Sequence, residues 1–386
     1  MSNKVIILWH KYKIRGVKWF LQRFFQELCG PQTRFSRFLA VFFKKPIYRL
    51  LIKPLNALHF AAETRKSFAP DAFLLIYDLR IEPITFNFIW ALVIADYQRR
   101  QRGLSYLDVM IIKGDFHGLR QEDEIYETAC SIAARHWRVQ SIIFGALNLV
   151  PQFRHLFYVD KQEAEVNLQK YPYKYPNYYS IIAPVTHQAK DGLIADPSMR
   201  CLKADAESLK LMQKWLAGRV GSRKIICITL RQSVYYPERN SNLASWLAFA
   251  KSLDPNEYYV VFIPDTEVNH QYANGKLDIF DCCINASINV QLRMALYELS
   301  ELCLGINNGP MALCWFNSKC NYVMFRVVTE DAPQTSTRTL KKDFELGTTP
   351  IFAAGKQFWI WQDDDFSVIQ DALTRLHLVN MQSKIA

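Results

Sequence analysis

The chain has 386 residues and a formal net charge of +11, and 50% of its residues are hydrophobic. Only 14 Gly and 16 Pro occur, which excludes a collagenous or low-complexity chain, and no apolar run reaches the roughly 18 residues needed to span a bilayer. The length and the apolar content suit two domains with separate cores.

Residues 1–70 hold 14 Lys/Arg against two acids, Glu27 and Glu63, whereas the other 316 residues carry 33 basic and 34 acidic groups. The basic character therefore belongs to an N-terminal arm, and the rest of the chain is near neutral. A nucleic-acid reader carries its basic footprint on the folded module, so no nucleic-acid partner is expected. Within the arm, Val17, Phe20, Leu21, Phe24, Phe25 and Leu28 form one helical stripe, and Phe35, Phe38, Leu39, Phe42 and Phe43 repeat it beside Arg34, Arg37, Lys44 and Lys45. That spacing predicts a basic amphipathic helical extension over residues 1–70 that meets an anionic membrane surface. Helices packed on the body and a cleaved mitochondrial-type presequence are the alternatives. Nine cysteines without CxxC spacing read as buried, reduced thiols of a cytoplasmic protein.

From Ala72 the texture alternates. Phe73–Tyr77 reads as a buried strand ending at Asp78, Thr85–Arg102 as a covered helix and Leu107–Lys113 as a second strand. Gln121–Trp137 reads as one amphipathic helix, and Leu156–Val159 as a further strand. The Tyr- and Pro-rich stretch Tyr171–His187 has no helical period; it reads as an interdomain crossing or as the lining of an acceptor cleft. Asp205 is the expected cap of a helix reaching about Ala217. A second series follows: strand Lys224–Arg231, helix Leu243–Ser252, strand Tyr258–Pro264, helix Asn289–Leu299, strand Leu302–Ile306, helix Pro310–Phe316, strand Asn321–Phe325 and helix Phe366–Leu376. Such alternation predicts α/β domains with open parallel sheets, over residues 71–203 and 204–386.

The sharpest local feature is Leu304-Gly-Ile-Asn307-Asn308-Gly309-Pro310-Met311. A strand runs out into Asn-Asn-Gly, and Pro310 restarts the chain as a helix, which suits a diphosphate at the carboxyl edge of a sheet. A tight turn with an Asn cap is the structural alternative. This segment resembles the Asp-Ser/Thr-Gly-Pro-Met-His-Leu signature of the bacterial heptosyltransferase family, over about ten residues of the C-terminal half. Asn307, Asn308 and Ala312 depart from it. The resemblance implies two Rossmann-like domains facing a cleft (GT-B-like), a nucleotide-diphosphate sugar as co-substrate with no other cofactor, and an inverting reaction. It also implies a donor-phosphate contact in the loop after the first strand of the second domain, where Arg231 and Arg239 stand ready for forked bonds to phosphate.

The expected donor-diphosphate set is therefore Arg231, Arg239, Asn307, Asn308, Gly309 and Pro310, with Pro264, Asp265 and Glu267 rimming the nucleotide pocket. Asp78, a carboxylate at a strand end, is the candidate catalytic base, with an ion pair to Arg80 as its structural alternative. Asp363-Asp364-Asp365 contains an Asp-x-Asp, but its place before a helix fits capping, and no metal is expected. The chain thus reads as a metal-independent glycosyltransferase that moves a sugar to a cell-envelope polysaccharide or lipid-linked acceptor. Its expected place is the cytoplasm, peripheral on the inner face of the cytoplasmic membrane. A sugar-nucleotide epimerase and a non-catalytic membrane-associated binding protein with a degenerate glycosyltransferase fold are the alternatives.

Overall fold

The structure, a computed structural model, describes residues 69–187 and 196–382. The amphipathic arm expected at residues 1–70 falls, up to residue 68, outside the described residues. The chain divides into two compact units. One holds the chain up to Glu82, Gln98–Gln121 and Arg154–His187, and the other holds Pro83–Tyr97, Glu122–Phe153 and the chain from Gln188.

The first unit is built on a four-stranded sheet of β1 (Ala72–Asp78), β2 (Tyr106–Ile112), β3 (Phe153–Val159) and β4 (Lys174–Tyr175), in the order β3-β2-β1-β4. β1 pairs in parallel with both β2 and β4. All seven residues of β1 are buried, as an apolar run covered on both faces requires. Leu74, Ile76, Met110 and Ile112 pack there with Val159, Ala164, Tyr171 and Tyr179. The carboxylate of Asp108, buried on β2, is matched by Arg154 at 2.7 Å and by the Tyr171 hydroxyl, also at 2.7 Å. The helix after β3, Lys161–Leu168, starts from a capping box of Asp160 and Glu163.

The second unit carries seven strands: β5 (Lys224–Thr229), β6 (Tyr258–Ile263), β7 (Lys276–Leu277), β8 (Phe280–Cys282), β9 (Leu302–Ile306), β10 (Tyr322–Phe325) and β11 (Gln357–Trp359). Their order is β11-β10-β9-β5-β6-β8-β7. Every neighbouring pair from β11 to β8 is parallel, and only β7 runs against β8. From β5 the chain steps outward through β6 to β8, then returns to the other side of β5 with β9. The sheet therefore has a switch point between β5 and β9, where ligands bind in open α/β sheets. Ile226, Ile228, Phe262, Leu304 and Phe325 of these strands share a core with Trp246 and Phe249 of the helix Leu243–Ser252 and with Ile369 of the helix Phe366–Gln382.

Two expectations need correction. The single helix expected at Gln121–Trp137 is two, Glu124–Ala129 and Ile132–Arg138. Cys130 turns extended, and Ser131 caps the second helix by accepting the Ala134 N–H. Helix Pro310–Phe316 is a 3₁₀ turn, Gly309–Met311, running into a four-residue helix. The stretch Tyr171–His187 contributes β4. Seven of the described cysteines are buried, and no helix among the described residues is long and apolar enough to cross a membrane.

Candidate functional site

The loop that leaves β5 is closed at its base by a reciprocal pair. Arg231 N–H donates to Ser241 Oγ at 2.9 Å, and Ser241 N–H donates back to Arg231 O at 2.9 Å. Asn240 folds inward and accepts from Ser233 N–H at 2.9 Å, while Tyr236 takes the left-handed conformation with φ 52°. Arg231 reaches into this loop from beneath. One terminal nitrogen donates to Tyr236 O at 2.9 Å and to Asn240 Oδ1 at 2.6 Å, and the other donates to Tyr235 O. Asn242 caps the following helix, its side chain accepting from Ser245 N–H.

Arg239 lies on the far limb of the same loop and donates to Asn307 O at 3.1 Å. That bond joins the loop after β5 to the turn after β9, across the switch point. Among the described residues neither Arg231 nor Arg239 forms an ion pair. Burial lowers the Arg231 guanidinium from its ordinary value. Burial, helped by the Arg231 charge nearby, brings Arg239 down to about 10. Arg231 is buried and Arg239 partly so. Asp265, Glu267 and Glu238 offset part of the Arg231 charge without pairing with it among the described residues. Two neighbouring guanidiniums favour an anionic ligand at this edge.

In the turn after β9, Asn307 N–H donates to Phe325 O at 3.0 Å, and its side-chain Nδ2 donates to Val327 O at 2.7 Å. Asn308 Oδ1 caps the 3₁₀ turn by accepting Met311 N–H at 3.2 Å. Its Nδ2 is buried and has no hydrogen-bond partner. Pro310 sits at the first position of the turn, as its missing N–H allows. A Cβ on Gly309 would lie 2.8 Å from Phe86 Cδ2 and 3.1 Å from Phe86 Cβ, so the glycine is required by packing.

Of the expected pocket rim, Asp265 accepts from Gln232 N–H at 3.2 Å and caps the turn Thr266–Tyr272. Glu267 accepts from Ser233 Oγ at 2.8 Å and from Val234 N–H at 2.9 Å. Both acids thus tie the end of β6 to the loop after β5. Pro264 O accepts from Ser287 Oγ at 2.7 Å. The structure therefore brings Arg231, Arg239, Asn307 and Asn308 to one edge of the second unit, with Asp265 and Glu267 bracing the same loop. Asn240, which organises that loop, carried no signal in the sequence beyond its place in Asn-Ser-Asn.

Asp78 belongs to the first unit. Arg80 grips it with two nitrogens, at 2.9 Å to Oδ1 and 2.6 Å to Oδ2, and the Tyr179 hydroxyl donates to Oδ2 at 2.5 Å. Burial, with Asp78 beside it, pushes the Tyr179 phenol well up, so it remains a donor. Within Asp363-Asp364-Asp365, Asp364 is buried and accepts from Asn242 N–H and Trp246 Nε1, each at 2.7 Å. Asp363 pairs with Arg326 at 3.1 Å. No cluster among the described residues has the makings of a metal site.

No protein-family model and no curated protein matches the chain. Among solved structures, the fold is similar to the glycosyl transferase family 9 protein from Veillonella parvula DSM 2008, with a TM-score of 0.47 and 12% identity over 80% of this chain and 99% of that one. It is also similar to the E. coli ADP-heptose LPS heptosyltransferase II, with a TM-score of 0.41 and 11% identity over 80% and 99% of the two chains. The wall teichoic acid polymerase TagF gives a TM-score of 0.32 and 9% identity over 91% of this chain and 90% of its own.

Proposed function

We propose that the protein is a glycosyltransferase of GT-B type that takes a sugar from a nucleotide-diphosphate donor. The observation that carries this reading is the pair Arg231 and Arg239, two cations without an ion-pair partner among the described residues, at the switch point of a parallel sheet. A diphosphate is the ligand class that such a site neutralises, and it is the group that accumulates charge as a nucleotide sugar departs. Asn308 Nδ2, buried and unsatisfied, is a further donor for a phosphate oxygen. Within this assignment Arg231 shapes the loop and Arg239 meets the diphosphate.

The transfer is proposed to proceed without a metal and with inversion, to a cell-envelope polysaccharide or lipid-linked acceptor. The basic, acid-poor sequence of residues 1–70 supports a setting on the cytoplasmic face of an anionic membrane.

A thermal-shift screen against UDP, GDP, ADP, CMP and their sugar conjugates tests this. One diphosphate and its sugar conjugate should raise the Tm with a saturating dose response. No shift with any nucleotide at millimolar concentration would instead favour a binding protein that has kept the fold and lost the donor site.

A further inference from the structure

Tyr236 stands where the backbone asks for glycine. It takes φ 52° and ψ 70°, in the left-handed region that a bulky side chain disfavours and glycine enters freely. Arg326 is also left-handed, at φ 49°, but its side chain is tied on two sides. It donates to Asn240 O at 2.8 Å and pairs with Asp363 at 3.1 Å. Tyr236 has a lighter hold: among the described residues its ring meets one other ring, that of its neighbour Tyr235, at 4.4 Å. Adjacent tyrosines need no left-handed backbone to make such a contact. The conformation is held instead by Arg231, whose guanidinium donates to the carbonyls of both Tyr235 and Tyr236. A backbone kept in this shape with a large ring left on it points to work for the ring beyond the fold.

The surroundings of the ring supply a second, independent observation. Tyr235 meets Tyr126 edge-on at 5.1 Å, so Tyr126, Tyr235 and Tyr236 form a row in which Tyr235 and Tyr236 are half-buried. Beside the row, Ile125 and Val234 are 69% and 72% exposed. The Tyr235 and Tyr236 hydroxyls lie close enough to Arg239 to act on its charge, and Arg239 bonds to Asn307 O in the turn after β9. All of these residues belong to the second unit. A partly open aromatic and apolar strip therefore adjoins the two arginines at the switch point between β5 and β9. A bare phosphate has no use for such a strip, whereas a ring joined to a phosphate does.

We infer that Tyr236 packs its ring against a ring of the donor joined to the diphosphate, and so sets how tightly the organic part of the donor is held; this rests on the glycosyltransferase reading above. The nucleoside and the sugar both present such a ring. One offers a π face and the other a face of C–H groups, and either gains by covering an aromatic surface. Because Arg231 fixes the Tyr236 backbone before any ligand arrives, less conformational freedom is lost on binding.

Isothermal titration of the full chain separates the ring from the phosphates. The probes are inorganic pyrophosphate, then UDP, GDP and ADP, then UDP-glucose, GDP-mannose and ADP-glucose. Tyr236→Gly suits the local backbone, so its ligand-free Tm should match or exceed that of the wild type. It should bind pyrophosphate as the wild type does and lose about 5- to 150-fold in affinity for the ring-bearing probes that the wild type binds. A loss shared by nucleotides and conjugates assigns the ring to the nucleoside, and a loss confined to the conjugates assigns it to the sugar. Tyr236→Asn, which also tolerates the left-handed region, should repeat the result, and Tyr236→Phe should keep wild-type affinity. Unchanged affinity of Tyr236→Gly for every probe would overturn the inference. An equal loss for pyrophosphate would do so too, because the loop rather than the ring would then be at fault. If the wild type binds no nucleotide at all, the glycosyltransferase reading itself fails and the assignment of Tyr236 falls with it.

Discussion

Arg231 spends three of its donor directions on Tyr235 O, Tyr236 O and Asn240 Oδ1, whereas Arg239 makes one such bond, to Asn307 O. Arg239 therefore keeps most of its fork for a ligand. With no ligand its buried charge is a burden. The guanidinium is lowered to about 10 in the folded protein, so the unfolded chain holds the proton more tightly. The cost is present at every pH below about 10 and is relieved as the pH rises from there toward the ordinary arginine value. Arg239→Met keeps the apolar stem and removes the charge. It should raise the ligand-free Tm by roughly 2–4 °C, for about 1 kcal/mol relieved, and abolish the shift given by nucleotide. A lower Tm with the nucleotide shift intact would contradict this, and differential scanning fluorimetry reads both. The sequence placed both arginines at a strand end but could not rank them, because the choice depends on a loop closed by Ser241 and turned at Tyr236. Nor could it join Glu82 to His187, whose backbone N–H donates to Glu82 Oε1 at 2.7 Å from 105 positions away.

Among the elements, the turn after β9 shows why a motif can be legible while its reason is not. Asn-Asn-Gly-Pro marked a strand-to-helix turn, and the turn is there with Asn308 as its cap. Gly309, however, is demanded by Phe86, a residue more than 200 positions earlier in the chain. Gly309→Ala should destabilise the protein by about 1–3 kcal/mol through overpacking, and combining it with Phe86→Ala should recover part of that loss in a double-mutant cycle. Urea denaturation measures both, and strict additivity would show that the contact is not the cause. The long apolar runs β1, β2, β5, β6 and β9 were readable because strands buried on both faces are uniformly apolar. β4, β7, β8 and β11 have two or three residues each, too few to show any period. The break at Ser131 was hidden because the apolar stripe continues across it while the cap bond to Ala134 N–H decides where the helix restarts.

At the scale of the whole molecule, the alternating rhythm of the sequence announced two α/β units with parallel sheets, but strand order rests on pairings between distant segments. That order places the loops after β5 and β9 side by side in the second unit, and the ends of β1 and β4 side by side in the first. Each unit thus has its own switch point, and that of the second is rimmed by two arginines that form no ion pair among the described residues. If the arginine edge seats a diphosphate, its binding should depend on Arg239 and need no sugar. Isothermal titration of inorganic pyrophosphate and of UDP, GDP and ADP into wild type and Arg239→Ala measures this directly. Saturable binding of at least one of them, weakened roughly 30-fold in the variant for a lost charge-assisted bond of about 2 kcal/mol, is the predicted result. Binding of equal strength in both proteins, or none in either, would contradict it.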